Sequence, residues 1–136
     1  ERKNYLHELE GEKIAAHLGV VERTVRAGAE RRRAAGVQNV AVPPEYRGRR
    51  LADRLLVSAM EQAGREKFDC GLLFCVPQIE KIYARCGWRT VTEAEIIRTD
   101  EHGRDVPLPE PNLAMYYPLA RNELPAGAIH LLGNDW

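Results

Sequence analysis

Between Pro43 and Leu56 the sequence reads PPEYRGRRLADRLL, so Arg47, Arg49 and Arg50 crowd around Gly48 where an apolar run of helical spacing begins. The first turn of a helix carries backbone N–H groups without internal partners, and the aligned peptide dipoles add partial positive charge there. Phosphates bind at such places. Gly48 lets the backbone come close to a bulky anion, and the guanidinium groups add charge-assisted donors. No acidic cap side chain stands before the helix to compete for the amides. The chemistry predicted is capture of phosphate. A solvated basic loop is the alternative, and the order of elements around the loop has to decide between them.

The elements that position this loop follow from periodicity. The chain has 136 residues, enough to bury a core as one domain without disulfides or metals. From Tyr5 to Val42 it reads as an antiparallel meander of about three strands: Ile14, Ala16, Leu18 and Val20 share a face, and Ala27–Glu30 makes a hairpin turn into RRRAAGVQNVAV. Alternation fails around Gly36, Gln38 and Asn39, which predicts a bulge near Asn39. Leu51, Leu55, Ala59 and Ala63, with Leu56 and Met60, form the stripe of a helix, while Asp53, Arg54, Glu61, Arg65 and Glu66 face water. Cys70 to Val76 is an apolar run of strand length, as expected of a strand covered on both faces. Pro77 opens a second helix with the stripe Ile79, Ile82, Tyr83 and Cys86, and Gly87 closes it. WRTVTEAEIIR follows as one or two strands, TDEHGRDVPLPEPN as a polar loop, and LAMYYPL and AIHLL as short strands. The fold class predicted is α/β (α+β): a central mixed, mainly antiparallel sheet with helices on its faces.

Composition removes several functions. Twenty basic and twenty acidic residues cancel, so no bulk field draws the chain to nucleic acid or membrane. Arg31, Arg32, Arg33, Arg47, Arg49 and Arg50 could form a nucleic-acid surface, but no aromatics interleave with them. Cys70, Cys75 and Cys86 lack the spacing of a metal site and read as buried thiols of a reducing compartment; no metal is expected. Without a membrane-length apolar run or a signal peptide, the expected location is cytoplasmic.

RGRRLA, Arg47 to Ala52, resembles the acyl-CoA pyrophosphate signature Q/R-x-x-G-x-G/A of the GNAT N-acetyltransferase superfamily. It lies between a strand like VQNVAV and an amphipathic helix, and GLLFCV and IEKIYARCGW follow, with the Y-x-x-x-G-[FW] pattern at Tyr83, Gly87 and Trp88. The resemblance covers about Tyr5 to Val91. Arg50 stands where the signature has its central glycine. The family also begins with a strand and one or two helices, so a single acyltransferase domain over residues 1–136 would lack that opening segment.

The resemblance implies direct transfer of an acetyl group from acetyl-CoA to a primary amine. It assigns the phosphates to Arg47, Gly48, Arg49, Arg50, Leu51 and Ala52, and the pantetheine arm to the backbone of Val40 and Val42, paired as an added strand would be. Val40 N–H, re-aimed by the bulge, would face the thioester oxygen, and Tyr83 would protonate the leaving thiolate. Where some relatives carry a glutamate base, this chain has Gln38, which can orient a water but takes no proton. Glu93, Glu95, His102, Asp135 and the Trp136 carboxylate are further candidates for the base, whereas His17 and His130 read as structural histidines.

The ending GAIHLLGNDW is similar to that of aminoglycoside 2′-N-acetyltransferases, which implies an acidic acceptor cleft at Asp135 and Trp136, joined by Asp105 or Glu110. Trp136 packed on the sheet is the plainer alternative. An amino acid, a polyamine or a protein N-terminus are other acceptors, and a non-catalytic acyl-CoA-binding module is the reading from another class. Family members are often homodimers.

Overall fold

The computed structural model describes residues 2–10, 13–121 and 127–136, with side chains over 15–121 and 127–136. The strands are β1 (Arg2–Glu10), β2 (Lys13–Ala27), β3 (Glu30–Ala41), β4 (Cys70–Cys75), β5 (Arg89–Thr90), β6 (Ala94–Thr99), β7 (Asp105–Pro107), β8 (Leu113–Pro118) and β9 (Gly127–His130). The helices are α1 (Leu51–Arg65) and α2 (Glu80–Ala84). One sheet runs β5-β8-β4-β3-β2-β9-β6-β7, with β1 on β2. Its pairs are antiparallel except β3 with β4 and β6 with β9. This is the mixed, mainly antiparallel sheet with helices that periodicity predicts.

Alternation sends each strand's side chains into two cores. On one face Ala16, Leu18, Val20, Ala35, Val37 and Leu73 pack beneath the α1 stripe of Leu51, Leu55, Leu56, Ala59, Met60 and Ala63. On the other, Val25, Ala34, Leu72, Ile96, Ile129 and Leu131 form a second core, with Trp136 packed against it. The expected place of Ile14 lies outside the described side chains. At Gly71 the sheet lies close beneath α1 and Trp88, since a Cβ there would sit 2.6 Å from Met60 Sδ and 2.8 Å from Trp88.

Two irregularities in β3 shape the site. The first is its separation from β4. Ala34–Gly36 pair with Cys70–Leu72, but then β4 stays with β8 as far as Cys75 while β3 stays with β2 as far as Ala41. Each strand keeps its outer neighbour, and the inner edges part. The second is the bulge. Gly19 pairs with Gln38 and His17 with Ala41, so β3 spends one residue more than β2 over this interval, and Asn39 takes the left-handed φ of 54°. Asparagine tolerates that conformation better than most residues do.

Three expectations need correction. The second helix is a 3-10 turn, Pro77–Ile79, running into the five residues of α2. Gly87, at φ 97°, closes it: its N–H bonds the Ala84 carbonyl, and Trp88 N–H bonds the Tyr83 carbonyl. The polar stretch after β6 contains a strand, β7, because Asp100 Oδ1 accepts from the N–H groups of His102 and Arg104 and turns the chain back. Val42 lies one residue past the end of β3.

Candidate active site

The basic loop stands at the open end of β3. Pro44–Tyr46 forms a 3-10 turn that buries Tyr46, and Arg49 lies over the Tyr46 ring at 5.4 Å. Gly48 has φ 85°, and Arg50, the residue before α1, has φ 56° and ψ 36°. A left-handed conformation costs a side-chain-bearing residue about 1–2 kcal/mol. A glycine would hold it freely, so the geometry explains why the resembled signature has glycine where this chain has Arg50. No side chain caps the α1 N-terminus. Leu51 is 2% exposed, so its side chain is core and only its backbone can face a ligand.

Val42, Tyr46, Arg47, Gly48, Arg50, Ala52, Ile82 and Arg85 line a cleft of about 350 Å³. Arg47 Nε donates to the Val42 carbonyl at 3.1 Å, tying the loop to the strand end. Asp53, expected to face water, lies inside this assembly. Both its oxygens accept from Arg85, at 2.8 Å each, and Arg50 Nη1 stands 3.7 Å away. The Arg85 hydrogen bond holds the Asp53 carboxyl below its ordinary range, against the opposing effect of burial. α2 is thereby fastened to the first turn of α1.

Tyr83, on α2, is buried against the α1-side core. Burial, followed by the charges of Cys75 and Cys86, pushes its phenol above the ordinary value, so it keeps its proton at neutral pH. Tyr83 and Cys75, the last residue of β4, belong to the same core. Among the described residues the cysteines are free thiols; Cys70 and Cys75 are buried and Cys86 is half-buried. Burial raises Cys70 to about 11, which leaves it an unreactive thiol.

The face of β3 away from α1 carries Ala34, Gly36 and Gln38. Trp136 packs against Gly36, where a Cβ would fall 2.7 Å from its Cε2. Its Nε1 donates to the Leu72 carbonyl at 3.2 Å, Phe74 meets it at 4.8 Å between centroids, and Arg23 stacks on it at 4.9 Å. Gln38 and Trp136 thus occupy neighbouring positions on one face. Asp135 is 3.9 Å from Arg98 Nε, and Arg98 also donates to Asn134.

The structure does not gather the other candidates. Glu95 and His102 belong to the β6–β7 hairpin, separated from β3 by β2 and β9. Glu93 and Glu110 are exposed. Asp105 binds His130 Nε2 at 3.0 Å, while His130 Nδ1 accepts from Leu132 N–H, so both histidine nitrogens are engaged. Of the first basic run, Arg32 is 4% exposed and paired with Glu30, and Arg33 covers the Phe68 ring while bonding Glu22. Sequence reasoning passed over Tyr46, Asp53, Ile82 and Arg85 as site residues. Asp53 and Arg85 meet across 32 positions, and nothing in their local pattern announces it.

Among the described residues no helix is long and apolar enough to cross a membrane, and no group of three His, Cys, Asp or Glu side chains could hold a metal. The family model described as Acetyltransferase (GNAT) domain matches residues 1–91. A GCN5-related N-acetyltransferase from Kribbella flavida is 26% identical over 60% of this chain, with a TM-score of 0.55. A GNAT family N-acetyltransferase from Escherichia coli, in complex with CoA, is 14% identical over 95% of the chain, with a TM-score of 0.68. A Bacillus subtilis acetyltransferase in complex with CoA is 17% identical over 82% of this chain and 73% of its own, with a TM-score of 0.57. The chain spans 21% of the Kribbella protein and 66% of the E. coli one.

Proposed function

Because the chain belongs to the GNAT acetyltransferase family, we propose that it moves an acetyl group from acetyl-CoA directly to a primary amine of a small polar molecule. The observation that carries this reading is the separation of β3 from β4 after Gly36, beside the uncapped N-terminus of α1. An extended arm fits the open strand edge while its phosphates meet the loop at Arg47, Gly48, Arg49, Arg50 and the amides of Leu51 and Ala52. Val40 and Val42 are the backbone partners of the arm.

In this reading the amine nitrogen adds to the thioester carbon, and Val40 N–H receives the oxygen as it turns negative. The carbon–sulfur bond then breaks, and Tyr83 gives its proton to the departing thiolate. Gln38 orients a water that takes the proton the amine loses. Asp135 is already matched by Arg98, so a single amine on a polar molecule suits the Trp136 face better than the polycationic aminoglycoside the tail suggested.

Isothermal titration of the full chain with acetyl-CoA, and with a CoA fragment lacking the pyrophosphate half, tests the reading. The expected result is micromolar binding that requires the pyrophosphate, followed by thiol release when amines are screened. No binding by folded protein would end the acyltransferase reading. Binding without thiol release across single amines, polyamines and aminoglycosides would favour a non-catalytic acyl-CoA module.

A further inference from the structure

The bulge in β3 has a partner on the neighbouring strand. His17 Nδ1 lies 3.0 Å from the carbonyl oxygen of Asn39. A carbonyl only accepts, so Nδ1 carries a proton here and donates it. That oxygen belongs to the same peptide unit as Val40 N–H. A trans peptide is planar, and its C=O and N–H leave from opposite edges. β2, which carries His17, flanks β3 on one side, and the opening toward β4 lies on the other. Fixing the Asn39 oxygen toward β2 therefore turns Val40 N–H toward the opening. A hydrogen bond to the carbonyl also polarises the amide, making its N–H a better donor.

We propose that His17 is a positioning residue: its Nδ1–H holds the Asn39–Val40 peptide so that Val40 N–H aims at the thioester oxygen. This role rests on the acetyl-transfer reading. It also accounts for a left-handed Asn39 held in place, at φ 54°, since a peptide in that unusual orientation needs an anchor. Ala16, Leu18 and Val20 point into the α1-side core, so His17 lies on the opposite face, with Gly19 beside it and Gln38 across from Gly19. Neither neighbour titrates. On β1 the register sets Leu6 opposite His17, with Asn4 and Glu8 two residues to either side. Glu8 is the titratable residue type among these register positions, so the test has to follow the His17 ring itself.

The test is amide NMR of the full chain alongside steady-state kinetics. In the wild type the Val40 nitrogen and Asn39 carbonyl-carbon shifts should follow the titration curve of the His17 ring. In His17→Asn, whose side-chain NH2 can replace the Nδ1 donor but does not titrate, that pH dependence should vanish. His17→Leu should lower kcat about tenfold, part of the roughly hundredfold or more that loss of an oxyanion donor costs, and leave the Kd for acetyl-CoA within about twofold. His17→Asn should recover most of that loss. A Val40 shift indifferent to His17 titration, or an active wild type with unchanged kcat in His17→Leu, would overturn the role alone. A wild type that binds no acetyl-CoA would overturn the transfer reading and this role together.

Discussion

The two halves of β3 lie on one continuous strand and have opposite fates. Ala34–Gly36 pair on both edges, with β2 and with β4, and are fully buried. Gln38–Ala41 keep only β2, contain the bulge, and are half-buried or exposed. The first half has spent its backbone donors and acceptors on the sheet. The second keeps an edge turned to the opening. In the proposed reaction the binding edge comes from withdrawing a strand's neighbour rather than from adding side chains, so substitutions in the paired half should damage stability and those around the open half should damage turnover.

The largest effect should come from Tyr83→Phe, on the open side. Removing the phenolic proton should lower kcat by about 10²–10³-fold while acetyl-CoA affinity, read by titration, changes less than about twofold. A Phe variant of full activity would remove Tyr83 from the mechanism.

Next is the paired region, where Gly71 of β4 stands opposite Ala35. Gly71→Ala places a methyl against Met60 and Trp88 and should cost about 1–3 kcal/mol in urea unfolding. Gly36→Ala places its methyl against the Trp136 indole and Val21 and should cost a similar amount, and in the proposed reaction displacement of the indole should also raise the KM for the amine. An unchanged amine KM would reduce Trp136 to packing.

Arg50→Gly separates the two sides within one residue. Relief of the left-handed backbone should add up to about 1 kcal/mol of stability, while loss of the guanidinium should weaken CoA binding severalfold. Equal CoA affinity would show that the loop binds through its amides alone.

The smallest effects are those of pH. The Asp53 carboxyl is held low by Arg85, so the stability it lends is present above the ordinary carboxylate value and fades as pH falls through its lowered one. Tyr83 is raised by burial, so its contribution is full below the ordinary tyrosine value near 10 and is lost as pH rises through the folded one. Thermal unfolding across pH should show the acid loss in the wild type and less of it in Arg85→Ala.

Much of the architecture can be read along the chain because it is local. A 3.6-residue stripe made α1, alternation made the meander, Gly28 at φ 61° made its turn, and Gly87 closed the Tyr83 helix. The broken alternation near Asn39 marked the bulge, and the glycine among arginines marked the loop that opens α1. β7 escaped because three residues carry too short a period to be seen.

The sequence by itself determined which segments become strands and helices, where the loop and its charges fall, and which tyrosine follows at the family's distance. Those depend on neighbours a few positions apart. Only the tertiary structure decided that β3 leaves β4 after Gly36, that Asp53 binds Arg85, that Trp136 lies on Gly36, and that His17 holds the Asn39 carbonyl. Each of these is a meeting of distant residues set by strand register and packing, and a one-residue change of register would have turned the same side chains to the other face.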